Sequence, residues 1–436
     1  MKDIKQILEW IENLNKETVV SINRTLLKKN SFWFYDKATG TLHNQSHSFF
    51  SIAGIKGRIN NQDIEQPILL QDEIGYLGIL CKEFNNELYY LMQAKIEPGN
   101  ANCVQISPTI QATKSNFTQK HGGAKPAYLD YFINAKSHTI IADQIQSEQS
   151  SRFYGKRNRN MIILVEEEVE VVEKRFCWMT LTQIKQLMRY KNLVNMDTRT
   201  VLSCLPYTDN SILLHITDKE FYKSMHSKNY QKEIVEVYHD INNYKMFSED
   251  FLEIVKLDEL KDWELSKNGV KCKHEYPYEV IYCDIEIEGR EVRQWTQPLF
   301  KANGIAVFGL IYTVIEGEVK FLVKIQPEIG CFDKIEIGPS IQKESNNYDK
   351  NDIIEELFDK NLKLKKGIKF DTILSEEGGR FYHEENRNII MKVEDSELRR
   401  LPRSYHLVSY ATLSHLNLFN NCLNIQLRNL ISVLEV

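Results

Sequence analysis

The sequence predicts an α+β fold made of two tandem homologous domains, and three observations support this prediction. A polar segment that begins at Ser147, SEQSSRFYGKRNRNMIILVE, returns in altered form at Ser375 as SEEGGRFYHEENRNIIMKVE. Segments typical of strands and helices follow the same order in both halves of the chain. Strands do not alternate with helices, as they do in parallel α/β folds.

Further pairs of segments repeat at nearly the same spacing. QPIL corresponds to QPLF, which begins at Gln297, and EPGNANCVQISPTIQ corresponds to EIGCFDKIEIGPSIQ, which begins at Glu328. VNMDTRTVLSCL corresponds to LNIQLRNLISVL, which begins at Leu423. Each shift is slightly more than half of the chain, so the period is a whole domain and not a solenoid unit. Gene duplication is therefore predicted, with domains at 1–215 and 216–436.

The same elements are predicted in each half. Helices are expected at the start of the halves, over residues 4–14 and 250–260. The apolar segments ELYYLMQAKI and EVKFLVKIQ are typical of buried strands. LTQIKQLMRYKNLV and TLSHLNLFNNCL carry apolar residues at helical spacing, with Thr180 and Thr412 as predicted N-caps.

Composition excludes several classes of protein. A net charge of -5 argues against a general nucleic-acid binder, and no apolar run is long enough to cross a bilayer. The eight cysteines form no CxxC pair and have no zinc-like spacing to histidine, so reduced thiols and a cytoplasmic location are expected. No GxGxxG or GxxxxGK[ST] motif supports a Rossmann or P-loop nucleotide site.

The repeated polar segment has the residue types of a ligand pocket. Arg152 offers a fork of donors that suits phosphate or carboxylate, and Asn158 and Asn160 offer donors and acceptors for hydroxyl groups. An alternative is that Glu148 and Arg152, four residues apart, form a structural pair. Apolar positions changed between the halves while these polar positions did not, which favours the pocket.

The charge of this segment changes sign between the halves. Lys156 and Arg157 in the first half correspond to Glu384 and Glu385 in the second. Cations stabilise a diphosphate and carboxylates repel it, so the first half is predicted to be the more competent for anions. The alternative is that Lys156 and Arg157 lie on a solvated loop.

Two other segments differ between the halves. Residues 112–132 of the first half contain His121 beside two glycines, whereas the corresponding acidic segment of the second half has no histidine. A histidine suits acid/base chemistry near neutral pH, although a solvated loop histidine is the alternative. Trp295 replaces Ile64 of the first half and is either a platform for a base or sugar ring or a core residue.

These segments together resemble one known family. VQISPTIQATKSNFTQKHGGAKPAYLDYF, DQIQSEQSSRFYGKRNRN, QWTQPLF and SEEGGRFYHEENRN are similar to the NDP-hexose 2,3-dehydratases of deoxysugar biosynthesis. The resemblance implies a duplicated Nudix-like fold, a homodimer and two nucleotide-sugar pockets, one of them catalytic. It implies dTDP-4-keto-6-deoxyglucose, or another NDP-4-keto-6-deoxyhexose, as substrate, and a 3,4-diketo-2,6-dideoxy sugar as product for a later 3-ketoreductase.

With this resemblance, the residues take provisional roles. Glu148 or His121 is expected to act as base or acid. Further first-pocket candidates for catalysis, phosphate, oxyanion or sugar contacts are Arg152, Tyr128, Tyr131, Tyr154, Lys156, Arg157, Asn158, Arg159 and Asn160. Trp295 is a candidate for stacking on a base. Glu376, Arg380, Asn386 and Arg387 are expected to line the second pocket.

Two other functions remain as alternatives. A Nudix-type nucleotide-sugar hydrolase needs a Gly-x5-Glu-x7-Arg-Glu-x2-Glu-Glu box for magnesium, and neither half contains it. No metal and no cofactor are therefore expected. A non-catalytic nucleotide-sugar binding module would suit a duplicated domain, but the basic, histidine-bearing segment in one half favours divided roles.

Overall fold

The computed structural model describes residues 2–28, 31–118, 125–171, 174–206, 218–288, 292–345 and 352–434. The helices are α1 Ile4–Glu17, α2 Lys114–Phe117, α3 Leu129–Ile133, α4 Leu181–Leu187, α5 Met196–Leu202, α6 Lys219–Met225, α7 Tyr230–Phe247, α8 Ile353–Lys363, α9 Tyr410–Leu416 and α10 Ile425–Ser432. The strands of the first half are β1 Val20–Thr25, β2 Trp33–Asp36, β3 Thr41–Asn44, β4 Ser51–Ile59, β5 Gln62–Leu70, β6 Gly75–Phe84, β7 Glu87–Ile96, β8 Val104–Ser107, β9 Ile110–Ala112, β10 Thr139–Ser147, β11 Phe153–Tyr154, β12 Arg157–Leu164 and β13 Phe176–Thr180. Those of the second half are β14 Phe251–Val255, β15 Trp263–Ser266, β16 Gly269–Cys272, β17 Tyr278–Ile287, β18 Gln294–Ala302, β19 Ala306–Ile315, β20 Glu318–Pro327, β21 Ile335–Pro339, β22 Ile341–Lys343, β23 Ile368–Ser375, β24 Glu385–Lys392 and β25 Tyr405–Val408.

A mixed seven-stranded sheet forms the centre of each half. In the first half the order is β10-β12-β6-β7-β13, and β8 and β9 extend β7 and β6. The second half repeats this order as β23-β24-β19-β20-β25, and β21 and β22 extend β20 and β19. Apolar residues on both faces of these strands are buried, which agrees with the apolar composition of segments such as ELYYLMQAKI. The structure thus has helices and strands in two similar repeated regions.

A short helix packs on the same point of each central sheet. A Cβ at Gly78 would lie 2.2 Å from the ring of Phe132 in α3, and a Cβ at Gly309 would lie 2.6 Å from the ring of Phe358 in α8. The segments that show no sequence similarity between the halves therefore place an aromatic ring against corresponding glycines. The helix itself differs, because α3 has five residues and α8 has eleven.

The halves exchange their first strands. β1 of the first half pairs with β17 of the second, and β14 of the second half pairs with β4 of the first, both antiparallel. Two further sheets, one of five strands around β17 and one of six strands around β4, therefore each contain a strand from the other half. The two halves consequently share a long interface, which brings side chains of one half beside the polar segment of the other.

The predicted helix over residues 250–260 is wrong. This segment contains strand β14 and a short 3₁₀ turn, because the backbone of Phe251–Val255 pairs with β4 instead of forming local hydrogen bonds. The helix that corresponds to α1 is α7, which ends shortly before this strand. The helix predicted over 4–14 is confirmed as α1, where Asp3 and Gln6 form a capping box and Ile7, Ile11 and Leu14 are buried.

Two arginines fix the ends of the strands that lead into the polar segments. Arg199 in α5 donates to the carbonyl oxygen of Ser375 (2.7 Å), and Arg428 in α10 donates to that of Ser147. Both side chains are buried, and both reach from one half to the other. The loops after β10 and β23 therefore start from rigidly held positions.

The structure also shows the state of the cysteines and the character of the helices. All eight cysteines are unpaired. Among the described residues, no helix has the length and apolar content needed to cross a membrane.

Candidate active site

The two copies of the repeated polar segment form the same loop. In each copy a strand ends at a serine, and the Asn-Arg-Asn strand then returns antiparallel to it. The amide of Glu148 donates to the carbonyl oxygen of Lys156 (2.9 Å), and the amide of Glu376 donates to that of Glu384 (3.0 Å). The residue before Lys156 and the residue before Glu384 both have a positive φ, 61° and 49° respectively. Glu148 and Lys156 therefore lie side by side, as do Glu376 and Glu384.

Glu148, Lys156 and Asn158 of the first half form a connected group, the Lys156 cluster. Asn158 Nδ2 donates to Glu148 Oε1 (2.6 Å), and Asn158 Oδ1 accepts from Lys156 Nζ (3.0 Å). Lys156 Nζ also donates to the carbonyl oxygen of Glu73. The second carboxylate oxygen of Glu148, Oε2, is buried and has no hydrogen-bond partner in the described part of the chain. Among the described residues, one acceptor atom of Glu148 and one N–H of Lys156 are thus left without a hydrogen-bond partner.

Burial shifts the pKa values of both ionisable groups of the Lys156 cluster in the direction of neutral pH. Burial raises the pKa of Glu148 above its ordinary value, and the nearby charges of Lys156 and Arg428 partly oppose this shift. Burial lowers the pKa of Lys156 to about 8, against the opposing effect of Glu148. A carboxyl whose pKa is raised beside an amine whose pKa is lowered to about 8 is a combination suited to proton transfer.

The second half forms the corresponding Glu384 cluster from Glu376, Glu384 and Asn386. Asn386 Nδ2 donates to Glu376 Oε1, as in the first half, but a carboxyl group stands in the place of the lysine. Burial, with a smaller contribution from Glu344, raises the pKa of Glu376 to about 7 and that of Glu384 to about 8. The Glu384 cluster therefore offers a diphosphate no cation where the first half has the Lys156 amine, so the difference in charge predicted from the sequence is present in the fold.

The arginines of the two loops are exchanged between the halves. The Arg152 guanidinium carbon lies 4.1 Å from the centre of the Tyr278 ring, and Nη2 lies 3.4 Å from Glu344 Oε2; both partners belong to the second half. The Arg380 guanidinium carbon lies 4.2 Å from the centre of the Phe50 ring in the first half. The sequence grouped Arg152 with Glu148 and Arg380 with Glu376, whereas the contacts of the two side chains are with the opposite halves.

A cavity of about 520 Å³ is connected to the Lys156 cluster through Glu73, which lines the cavity, whereas the three described residues of the cluster are not part of its lining. It is lined by residues of the 39–51 segment and by residues 70–73. Two of its lining residues contact the cations described above, because the Phe50 ring is covered by Arg380 and the Glu73 carbonyl accepts from Lys156. A cavity of this size accommodates a ligand as large as a nucleotide.

One wall of the cavity carries two histidines. The rings of His43 and His47 lie 4.3 Å apart, centre to centre. His43 is buried; its Nδ1 donates to the carbonyl oxygen of Asn44 (3.0 Å), and its Nε2 lies 3.6 Å from Asp36 Oδ2. This wall therefore combines two neighbouring, tilted rings with polar atoms, as ligand cavities commonly do.

Several predicted site residues take part in hydrogen bonds and ion pairs that recur in both halves. Arg159 forms a bidentate pair with Asp143 (2.7 and 2.6 Å), and Arg387 forms the same pair with Asp371 (2.8 and 2.6 Å). Asn160 donates to the backbone carbonyl of the Asn-Arg-Asn strand two residues before it (3.1 Å). Repetition of these polar residues therefore also has a structural explanation.

The remaining predicted residues lie in other contacts. Arg157 covers the ring of Phe332 in the second half, with its guanidinium carbon 3.8 Å from the ring centre. Tyr128 donates to the carbonyl oxygen of Glu170 (2.9 Å), and its ring packs against Phe176. The other members of the predicted set are Tyr131, whose ring is near His138; Tyr154, which is exposed; Trp295, which donates to Gln297 (2.9 Å); and His121, which lies outside the described residues.

Sequence reasoning did not identify the cavity or the aromatic partners of the arginines. A signal for these aromatics exists, because Phe50 and Tyr278 are related by the same shift as Ser147 and Ser375, the first residues of the polar segments. The histidines of the cavity wall have no such signal. The two histidines line the cavity because the turn between β3 and β4 brings them together there.

The chain is similar to one family over both halves. Residues 4–205 and 234–434 each match the sequence model of a family described as NDP-hexose 2,3-dehydratase. A Saccharopolyspora spinosa protein named dTDP-4-dehydro-6-deoxy-alpha-D-glucopyranose 2,3-dehydratase is 35% identical over 438 residues, which cover 98% of this chain and 90% of that protein.

Proteins of the same name from two other organisms show comparable similarity. The Streptomyces violaceoruber protein is 34% identical over 420 residues, covering 94% of this chain and 92% of its own. The Amycolatopsis orientalis protein is 30% identical over 444 residues, covering 99% of this chain and 90% of its own.

Proposed function

The chain belongs to the NDP-hexose 2,3-dehydratase family, and we propose that it removes the C2 hydroxyl from dTDP-4-keto-6-deoxy-D-glucose. The product is a 3,4-diketo-2,6-dideoxy sugar nucleotide. The observation that carries this proposal within the molecule is the Lys156 cluster, where a buried carboxylate and a buried amine are joined by Asn158 beside a cavity.

The reaction needs proton transfer and no external oxidant. The C4 ketone acidifies the C3 proton, and its removal gives an enolate with negative charge on the C4 oxygen. The enolate expels the C2 hydroxyl, which leaves as water after it receives a proton. The resulting C3 enol rearranges to a ketone, so the oxidation at C3 balances the reduction at C2. The protein must supply a base, an acid and donors for the developing oxyanion.

Glu148 is our proposed base at C3. Its Oε2 atom is buried and without a partner in the described residues, and its raised pKa strengthens it as a proton acceptor. Asn158 fixes the carboxylate through Oε1 (2.6 Å). A base in such a position contributes about 10²–10⁴-fold to the rate.

Lys156 is our proposed acid toward the C2 hydroxyl. Two of its three N–H groups are held by Glu73 and Asn158, and the third can point to a substrate. A pKa of about 8 keeps the amine protonated at neutral pH and still makes it a competent proton donor. The acid and the base would thus act from one end of the same β-hairpin.

We also propose that the first half carries the catalytic pocket. The charge difference between the Lys156 and Glu384 clusters supports this assignment. The proposal extends to the finer properties that the family resemblance implies: domains at 1–215 and 216–436, a Nudix-like fold, a homodimer, a cytoplasmic location and a 3-ketoreductase that consumes the product.

The test is direct. The purified chain is incubated with dTDP-4-keto-6-deoxyglucose and a ketoreductase that traps the product, and the mass of the sugar nucleotide is measured. The wild type is expected to give a trapped product that has lost one water and gained the two hydrogens of the reduction, with or without a chelator. A nucleoside monophosphate formed only with divalent metal would indicate a hydrolase, and unchanged substrate would indicate a binding module; either result contradicts the proposal.

A further inference from the structure

The loop that carries Arg380 belongs to the second half but is held by the first. The amide of Gly99 donates to the carbonyl oxygen of Gly378 (2.6 Å), and the amide of His383 donates to that of Gly99 (2.8 Å). A Cβ at Gly99 would lie 1.6 Å from the carbonyl oxygen of Phe381, so this approach requires glycine. The backbone around Arg380 is therefore fixed against the first half.

Arg380 has donors available for a ligand. Its Nη1 donates to the carbonyl oxygen of Gly379 (2.9 Å), and one face of the guanidinium covers the ring of Phe50. Its Nε atom is buried and has no hydrogen-bond partner among the described residues. The side chain as a whole is partly exposed, whereas Arg152 is only 2% exposed. Of the two exchanged arginines, Arg380 is the more accessible.

Both arginines lie among carboxylates: Glu377, Glu97 and Glu73 act on Arg380, and Glu344 and Glu384 act on Arg152. The halves differ in the cations that offset these carboxylates. Arg380 and Lys156 are close enough that the charge of Arg380 lowers the pKa of Lys156. Lys95 forms an ion pair with Glu97 (3.0 Å) in the same region. In the second half, the positions of Lys95 and Lys156 are occupied by Gln326 and a glutamate. The first half thus gathers three cations where the second has one.

We infer that Arg380, carried by the second half, binds the diphosphate of the nucleotide sugar in the pocket of the first half. Phe50 lines the cavity, and the guanidinium on its ring adjoins the region of Lys156. A diphosphate joins the nucleoside to the sugar, so it belongs between the cavity and the Lys156 cluster. Arginine offers the planar fork that phosphate oxygens accept.

This inference rests on the proposed function and reverses the pairing of arginines and halves that the sequence suggested. The pocket is then incomplete in either half alone. Arg152 faces Glu344 and the Glu384 cluster instead, where it offsets buried carboxyls.

The experiment compares R380A, R380K and R152A with the wild type. Two quantities are measured: the inhibition constant of dTDP against turnover, which reports on the catalytic pocket, and the dissociation constant of dTDP from calorimetry. R380A is expected to raise both the inhibition constant and the dissociation constant of dTDP by about 10- to 100-fold, because a charged hydrogen-bond donor to phosphate is lost. R380K should recover part of the loss, since it keeps the charge without the fork, and R152A should weaken inhibition less than R380A.

The possible outcomes separate the inference from the proposed function. A larger weakening of dTDP inhibition in R152A than in R380A overturns the inference, as does an R380A variant whose turnover falls while dTDP binds normally. Thermal unfolding identifies a variant that does not fold, and R380K then provides the comparison. A wild type that does not dehydrate the substrate refutes the proposed function, whereas calorimetry with R380A still tests the role of Arg380.

Discussion

Replacing Lys156 tests the proposed proton donor most sharply. K156M keeps the length of the side chain but removes the charge and the three N–H groups. In the wild type, a pKa of about 8 gives about ten protonated amines for each neutral one at pH 7 and about one for ten at pH 9. The substitution therefore removes a group that is mostly in its active form at neutral pH. Loss of a general acid predicts a kcat lower by about 10²–10⁴-fold, or about 2.7–5.5 kcal/mol of transition-state stabilisation.

The pH dependence of the wild type supplies an independent measurement. The acid must be protonated, and its protonated fraction falls as the pH rises through about 8. The value of kcat/KM should therefore decrease above about pH 8, approaching tenfold for each pH unit. K156R, which stays protonated throughout, should lack this decrease and should retain dTDP inhibition better than K156M.

The assay is the trapped dehydration reaction, followed at saturating and limiting substrate. K191M serves as the control, because Lys191 is exposed and pairs with Glu385 (3.0 Å) on the surface. A K156M variant that folds and keeps kcat within about threefold of the wild type would refute the role of Lys156 as acid. A wild-type profile that stays flat to about pH 10 would refute it as well.

Three further predictions concern stability and the interface between the halves. Burial raises the pKa of Glu384 to about 8, so the contribution of this carboxyl to stability is full below about pH 4.5 and is lost as the pH rises through about 8. Between about pH 5 and pH 9, the free energy of unfolding of E384Q in urea should therefore gain at least about 1.4 kcal/mol relative to that of the wild type. Parallel pH profiles of the two proteins would contradict the raised pKa. G99A should destabilise the protein by about 1–3 kcal/mol, because its Cβ would meet the Phe381 carbonyl at 1.6 Å, and a melting temperature equal to that of the wild type would contradict this close approach. A double-mutant cycle on Arg159 and Asp143 should give a coupling of about 0.2–1 kcal/mol, as expected for a half-exposed ion pair, and a value near zero would remove the structural explanation of the repeated arginine.

The duplicated fold could be predicted because it depends on local patterns that occur twice. The strand ELYYLMQAKI was predicted with its observed bounds, and Thr180 is confirmed as an N-cap. Thr412 is not an N-cap; Ser409 takes that place, and the amide of Thr412 donates to its hydroxyl oxygen (3.2 Å). Both are short polar residues before an amphipathic helix, so composition alone does not separate them.

The exchange between the halves could not be predicted from these patterns. Whether 250–260 is helix or strand depends on β4, which lies far earlier in the chain, and no local preference reports that pairing. The contacts of the two arginines likewise depend on packing between the halves. Arg152 and Arg380 follow identical local patterns, and only the packing of the two loops against the opposite halves distinguishes their surroundings.

The candidate site was predictable in its residue types and less so in their roles. Glu148, Lys156 and Asn158 belong to the repeated segment, and the change of lysine to glutamate was visible in the sequence. Their hydrogen bonds depend on the antiparallel pairing of β10 with β12, which brings both ends of the loop together. The role of Asn158 as the link between amine and carboxylate follows from that geometry.

The central claim is that Glu148 removes the C3 proton in the pocket of the first half. E148Q keeps the hydrogen bond from Asn158 possible but cannot accept the proton, and E376Q makes the matched change in the second half. The measurement is the fraction of substrate that loses one water in a single incubation with the trapping reductase. We predict loss of water with the wild type and E376Q and a rate lower by at least about 100-fold with E148Q that still binds dTDP. Equal rates for E148Q and the wild type would contradict the claim.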